Sequence, residues 1–168
     1  MAREASARRA RLGGNVAVGM SETGLNGSSM QRAPDGTGLR KVSVTYRREA
    51  LCIADARHCA TEYLTMSQRG RRTPLRESSA EAVQLVVSEL MTNAVKYGSG
   101  PIELTLECTE EAVTVTVRDG DTTLPTPRPA DPARVGQHGL EIVAALSQAV
   151  DIHREPSGKR VSARIALG

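Results

Sequence analysis

The chain of 168 residues has no tryptophan and no phenylalanine, and its aromatic content is three tyrosines, Tyr46, Tyr63 and Tyr97. Aromatic faces are the usual platform for stacked bases, so this scarcity argues against a single-stranded nucleic-acid groove. No run of eighteen apolar residues is present, which excludes a membrane-spanning helix, and the arginine-bearing N-terminus lacks the apolar segment of a secretory leader. Cysteine is sparse and odd in number, at Cys52, Cys59 and Cys108, with no C-x-x-C spacing. That pattern argues against a zinc cluster or a disulfide framework. It fits a reducing, cytoplasmic setting in which the thiols pack as small apolar groups. Lysine is scarce as well, being limited to Lys41, Lys96 and Lys159.

The formal net charge of +3 suggests an acidic partner until it is located. Residues 1–40 carry the whole surplus, and the remainder balances its basic and acidic side chains. The folded part therefore has no excess positive charge to neutralise a phosphate backbone. Residues 1–40 are rich in Gly, Ser, Ala and Arg without apolar periodicity, as in "GMSETGLNGSSMQRAPDGTG". A segment of this kind buries too little surface to offset its ordering entropy and is expected to be a disordered tail. One domain over residues 41–168 follows.

Within that domain "KVSVTY" alternates as a strand, and "REALCIADARHCATEYLTM" has helical spacing with Leu51, Cys52, Ala54, Cys59, Tyr63 and Met66 as its apolar positions. Ser78 and Glu81 form an S-x-x-E capping box, predicting a helix from there to about Tyr97, closed by Gly98, Gly100 and Pro101. "IELTLEC" and "AVTVTVRD" predict a hairpin turning at "TEEA", and "AVDIHRE" with "RVSARIAL" predicts a second hairpin. "LEIVAALSQA" reads as a short helix. Between Asp119 and Gly139 lies a proline-rich stretch whose length suits a lid or a linker. Helices and strands do not alternate as a βαβ series. The expected fold is therefore α+β, a two-layer α/β sandwich with a mostly antiparallel mixed sheet and helices on one face.

The helix over "VVSELMTNAVKYG" carries an unusual edge. At 100° per residue Glu89, Asn93 and Lys96 fall within about 60° of one another, beside a core stripe of Val83, Val86, Val87, Leu90 and Ala94. Alone, such an edge is also what a solvated helix face looks like. Two further stretches change its meaning. "VRDGD" ends an apolar strand with Asp119 before Gly120, and a carboxylate there can accept a hydrogen bond from an exocyclic amine. "VGQHGLEIV" places Gly136 and Gly139 before a helix, whose free N–H groups and positive dipole end suit phosphates. An Asn carbonyl oxygen can ligate magnesium while phosphate and water fill the other positions. A neighbouring Glu can take a proton from an attacking hydroxyl.

With these residues on the page the sequence resembles the GHKL ATPase superfamily: "ELMTNAVKYG" is similar to its N box, "VRDGD" to its G1 box and "VGQHGLEIVAAL" to its G2 box. Within it, the chain is most similar to the small bacterial anti-sigma regulatory factors with serine-protein kinase activity. It shows neither the dimerisation helices of a sensor kinase nor the transducer domain of a gyrase. The resemblance implies the Bergerat ATP-binding fold with ATP and Mg²⁺ as cofactors. It implies Glu89 as catalytic base, Asn93 as the Mg²⁺ ligand and Lys96 near the phosphates. Asp119 with Gly120 would meet the adenine, and Gly136, His138, Gly139 and Leu140 would form the phosphate end of the lid. Asp121 stands where the G1 pattern carries a second glycine. The implied partners are a sigma factor and a STAS-type anti-anti-sigma factor phosphorylated on serine; neither nucleic acid nor membrane is expected, and a homodimer is allowed. The competing reading is an adaptor of the same fold that acts in partner switching without kinase turnover.

Overall fold

A computed structural model describes residues 22–23, 29–34, 40–69, 71–125 and 138–168. The strands are β1 (Glu22–Thr23), β2 (Ser29–Pro34), β3 (Arg40–Tyr46), β4 (Ile102–Cys108), β5 (Ala112–Asp119), β6 (Ala149–Glu155) and β7 (Gly158–Ala166). The helices are α1 (Ile53–Gln68), α2 (Glu77–Tyr97) and α3 (Gly139–Leu146). The strands form one sheet in the order β1-β2-β3-β4-β5-β7-β6 with every neighbouring pair antiparallel.

Alternation decides which side of each strand is covered. Along β5, Val113, Val115 and Val117 are buried while Thr114, Thr116 and Arg118 are half-exposed. The buried side receives the helices: α2 lies over β4, β5 and β7, with α1 beside it against β4 and α3 against β6 and β7. The other side is polar. Ser43 and Thr105 share a hydrogen bond of 2.8 Å and Thr116 and Ser162 one of 3.0 Å, so adjacent strands are linked across that face by hydroxyls. The α+β sandwich expected from the sequence is the observed fold, and its sheet is antiparallel throughout the described residues.

Three local expectations need correction. Strands β1 and β2 lie inside the segment assigned to a disordered tail, and residues 29–34 pair with 40–45 on the β3 edge. Composition reports side-chain burial, whereas a sheet edge is paired through backbone groups that every sequence carries. Residues 1–21, 24–28 and 35–39 of that segment lie outside the described residues. The capping box is not formed: α2 begins at Glu77 after Arg76, no side chain caps it, and Ser78 is already helical. In α1 the core face is carried by Ala56, Ala60, Tyr63, Leu64 and Ser67, while Cys52 and Ala54 are exposed. The chain runs through a short 3-10 turn at Arg48–Ala50 and α1 starts only at Ile53, so residues 48–52 do not share its periodicity.

Burial of Tyr46 and Tyr63 pushes both phenols above their ordinary value of 10.0. Above about pH 10 the unfolded chain releases these protons while the folded chain keeps them, so the unfolded state binds fewer protons. Their contribution to stability is full below that pH and falls as pH rises, by up to about 1.4 kcal/mol per pH unit for each tyrosine. Thermal melts between about pH 8 and pH 11 should show the decline, and it should flatten in a Tyr46→Phe/Tyr63→Phe variant.

Candidate functional site

Helix α2 puts its core stripe where the sequence places it: Val83, Val86, Val87, Leu90, Met91 and Ala94 are buried. Glu89 and Asn93 on the adjoining edge are half-buried, and Lys96 is exposed. What brings Glu89 and Asn93 into a site is the start of α3. A Cβ on Gly139 would stand 2.6 Å from Glu89 Oε2 and 3.4 Å from Asn93 Nδ2. A side chain at this position would displace the Glu89 carboxylate, so glycine lets the first turn of α3 lie against both groups as they stand. The backbone before it is set by His138, whose Nδ1 lies 2.8 Å from Glu141 Oε2 and whose carbonyl accepts the N–H of Ile142 at 3.0 Å. No side chain caps α3. Among the described residues the N–H groups of Gly139 and Leu140 have no partner, and they lie beside a carboxylate and a carboxamide, an arrangement suited to a phosphate with a bound cation. Gly136 lies outside the described residues.

The far end of the edge is built around Asp119. From Glu89 to Gly98 the helix and its cap rise about 13 Å at 1.5 Å per residue. Gly98 is extended rather than left-handed, and its N–H donates to Ala94 O at 3.0 Å. A Cβ there would stand 2.5 Å from Asp119 Cγ. The glycine that the sequence assigns to helix termination thus also admits the Asp119 carboxyl group. Arg48 holds this corner by donating to Val95 O and, at 3.4 Å, to Gly100 O. Gly120 N donates to Ser99 O at 2.7 Å, tying the end of β5 to the α2–β4 connection.

Asp119 itself is buried, and it is not a lone carboxylate. Its Oδ1 accepts the Asp121 N–H at 2.9 Å and lies 3.0 Å from Lys159 Nζ, in an ion pair whose side chains are 4% and 6% exposed. Asp119 and Lys159 sit opposite each other in the β5–β7 ladder. The carboxylate of Asp121 accepts the N–H of Thr123 at 2.6 Å. Hydrogen bonding from Thr123 holds the Asp121 carboxyl below its ordinary value, with the charges of Lys159 and Arg48 acting in the same direction. Asp121 is thus tied into its own turn. Sequence reasoning missed Lys159. A readable signal existed, since Lys159 shares the parity of the core-facing Val161, Ala163 and Ile165.

Among the described residues no cluster of three or more His, Cys, Asp or Glu side chains could hold a metal. The donors beside Gly139 are one carboxylate and one carboxamide, a set that suits a cation such as Mg²⁺ that keeps waters and is carried mainly by phosphate oxygens. A separate cleft of about 290 Å³, lined by Ser78, Ala82, Leu146, Ser147 and Ile165 among others, lies at the opposite end of α2 from Asp119. It contains none of the residues of the polar edge. Among the described residues no helix is long and apolar enough to cross a membrane.

A family model described as the histidine kinase-like ATPase domain matches residues 42–165. The chain belongs to that family, and its domain is of the GHKL ATP-binding type. Among solved structures it is similar to the histidine kinase domain of the blue-light activated histidine kinase from Erythrobacter litoralis EL346. Identity is 22%, the TM-score is 0.43, and the match covers 64% of this chain and 61% of that one. The chain thus spans about three fifths of that relative, 61% of its length. No curated protein matches.

Contact between Gly139 and Glu89 gives a selective test. The terminal oxygen of a flexible Glu can move aside, so Gly139→Ala should shift the melting temperature by no more than about two degrees. It should nonetheless displace the Glu89 carboxylate and slow any ATP-dependent reaction by about ten- to hundredfold. Melting curves beside turnover measurements would check both halves.

Proposed function

We propose that the protein is an ATP-binding anti-sigma regulatory factor of the cytoplasm. It sequesters a sigma factor and phosphorylates a serine on a STAS-type anti-anti-sigma antagonist. The observation that carries the phosphoryl-transfer part of this reading is the meeting of Glu89 and Asn93 with the N-terminus of α3 at Gly139, with Asp119 at the other end of the same helix edge. An extended nucleoside triphosphate matches that layout, with its base toward Asp119 and its γ-phosphate toward Glu89. The partner assignment is supported by the resemblance of the three sequence boxes to those of the small anti-sigma kinases.

In this reading Asp119 and Gly120 bind the base, the N–H groups of Gly139 and Leu140 receive phosphate oxygens, and Asn93 holds the cation. Lys96 reaches the phosphates from solvent. Magnesium, when bound, neutralises charge on the transferring phosphoryl group. Glu89 takes the proton of the serine hydroxyl as its oxygen attacks the γ-phosphorus, the bond to the β-phosphate oxygen breaks and ADP leaves. The phosphoserine then carries about two negative charges and loses its fit to an interface built for a neutral hydroxyl.

The experiment mixes the full chain with ATP labelled at the γ-phosphate, Mg²⁺ and candidate STAS proteins, and locates any label by mass spectrometry. A sigma-factor pull-down runs alongside. A labelled serine and a captured sigma factor are the expected results. ATP binding without transfer to any STAS protein would replace this reading with the non-catalytic adaptor.

A further inference from the structure

The acceptor proposed for the base is half of a buried ion pair, and its geometry is unusually constrained. Asp119 Oδ1 takes both the Lys159 ammonium and the Asp121 N–H. Among the described hydrogen bonds Oδ2 takes neither. Lys159 is saturated in turn: its three protons face Asp119 Oδ1 at 3.0 Å, Tyr97 O at 3.4 Å and Asp121 O at 3.4 Å. It has no donor left for a ligand.

Two glycines leave the room that this pose needs. Besides the close approach at Gly98, a Cβ on Gly158 would stand 1.9 Å from the Asp119 carbonyl oxygen, and Gly158 has a φ of +155°. Residue 158 therefore has to be glycine for β7 to bring Lys159 against β5. Lys159 Nζ and the Asp121 N–H, both on Oδ1, fix the rotation of the carboxylate about the Cβ–Cγ bond.

We propose that Lys159 is a positioning residue for the base. By holding Asp119 Oδ1 it leaves Oδ2 as the acceptor offered to an exocyclic amine, and so sets the preference of the site for a 6-amino purine over a 6-oxo purine. This rests on the nucleotide reading above. A fixed carboxylate oxygen offers no proton, so an amine opposite it is bound and a carbonyl oxygen opposite it is repelled. Without Lys159 only the Asp121 N–H still holds Oδ1, so the carboxylate turns more readily and draws in water, and the fixed acceptor is lost. The phosphate end, nine residues away along α2, keeps its contacts.

The test measures binding of ADP, inosine diphosphate and tripolyphosphate to the full chain with Mg²⁺. The wild type should favour ADP over inosine diphosphate by about tenfold or more. Lys159→Met should bring that ratio to within about twofold while leaving tripolyphosphate affinity within about twofold, and Lys159→Arg should restore the preference. A Lys159→Met protein that keeps the wild-type ratio overturns the proposal alone. A wild type that binds neither ADP nor tripolyphosphate removes the nucleotide reading and the proposal together. If Lys159→Met does not fold, the wild type decides by NMR of its lysine ammonium groups, of which the chain has three. The Lys159 signal should shift with ADP and stay in place with tripolyphosphate, and a signal that ADP leaves unmoved overturns the assignment.

Discussion

Glu89→Ala should leave ATP·Mg²⁺ binding nearly unchanged and slow the proposed phosphoryl transfer to a partner serine by about 10²–10⁴, the usual share of a general base. The expectation follows from where Glu89 sits. Its carboxylate is half-buried at the start of α3, beside the N–H groups proposed for the phosphates, and it is remote from Asp119. Asn93→Ala should behave differently. The carboxamide is the proposed protein ligand of the cation, so its loss should abolish both Mg²⁺-dependent ATP binding and transfer. Binding of the proposed sigma factor should survive Glu89→Ala, because a partner surface does not depend on a carboxylate turned toward Gly139. Titration calorimetry, a phosphotransfer assay and a pull-down on the wild type and both variants separate these outcomes. Transfer at the wild-type rate by the Glu89 variant would return this edge of α2 to an ordinary solvated helix face.

For Asp119→Asn two effects are expected, and the structure shows why they must be measured apart. Loss of a charge-assisted hydrogen bond to the base should weaken ATP by roughly ten- to hundredfold. The same change leaves the Lys159 ammonium buried without its counter-charge, and removing one partner of a buried pair costs about 3–5 kcal/mol. Both side chains are more than nine-tenths buried, so solvent screens this cost little. A fall in ATP affinity could therefore be no more than partial unfolding. Asp119→Asn/Lys159→Met resolves the two, because removing both charges should recover much of the stability without recovering ATP affinity. Denaturant melts give the first quantity, and calorimetry below the melting transition gives the second. Wild-type ATP affinity in the folded double variant would sink the assignment of Asp119 to the base.

The elements that were legible from sequence are those whose signal is local. Alternation in "IELTLEC" and "AVTVTVRD" settles the β4–β5 hairpin, because a strand half-covered by helices must change polarity at every residue. The spacing of Val83, Val86, Val87, Leu90 and Ala94 settles the face of α2, and with it the edge that carries Glu89, Asn93 and Lys96. The start of α2 was less legible. A capping box states that Ser78 can satisfy free N–H groups, but the chain entering from Arg76 had already begun the helix. The strand at residues 29–34 was illegible for another reason, since its pairing to β3 uses backbone groups that composition does not record.

For the site the division is similar. The sequence by itself determined which side chains are candidates for a nucleotide site and their order along the chain, because each motif is defined within a few residues. Only the tertiary structure decided that Gly139 stands against Glu89 and that Gly98 admits Asp119. It alone paired Asp119 with Lys159, forty residues away in sequence. Those contacts depend on the order of strands in the sheet, with β7 laid between β5 and β6. That order is fixed by packing of the whole domain against α2, which no short stretch of sequence encodes.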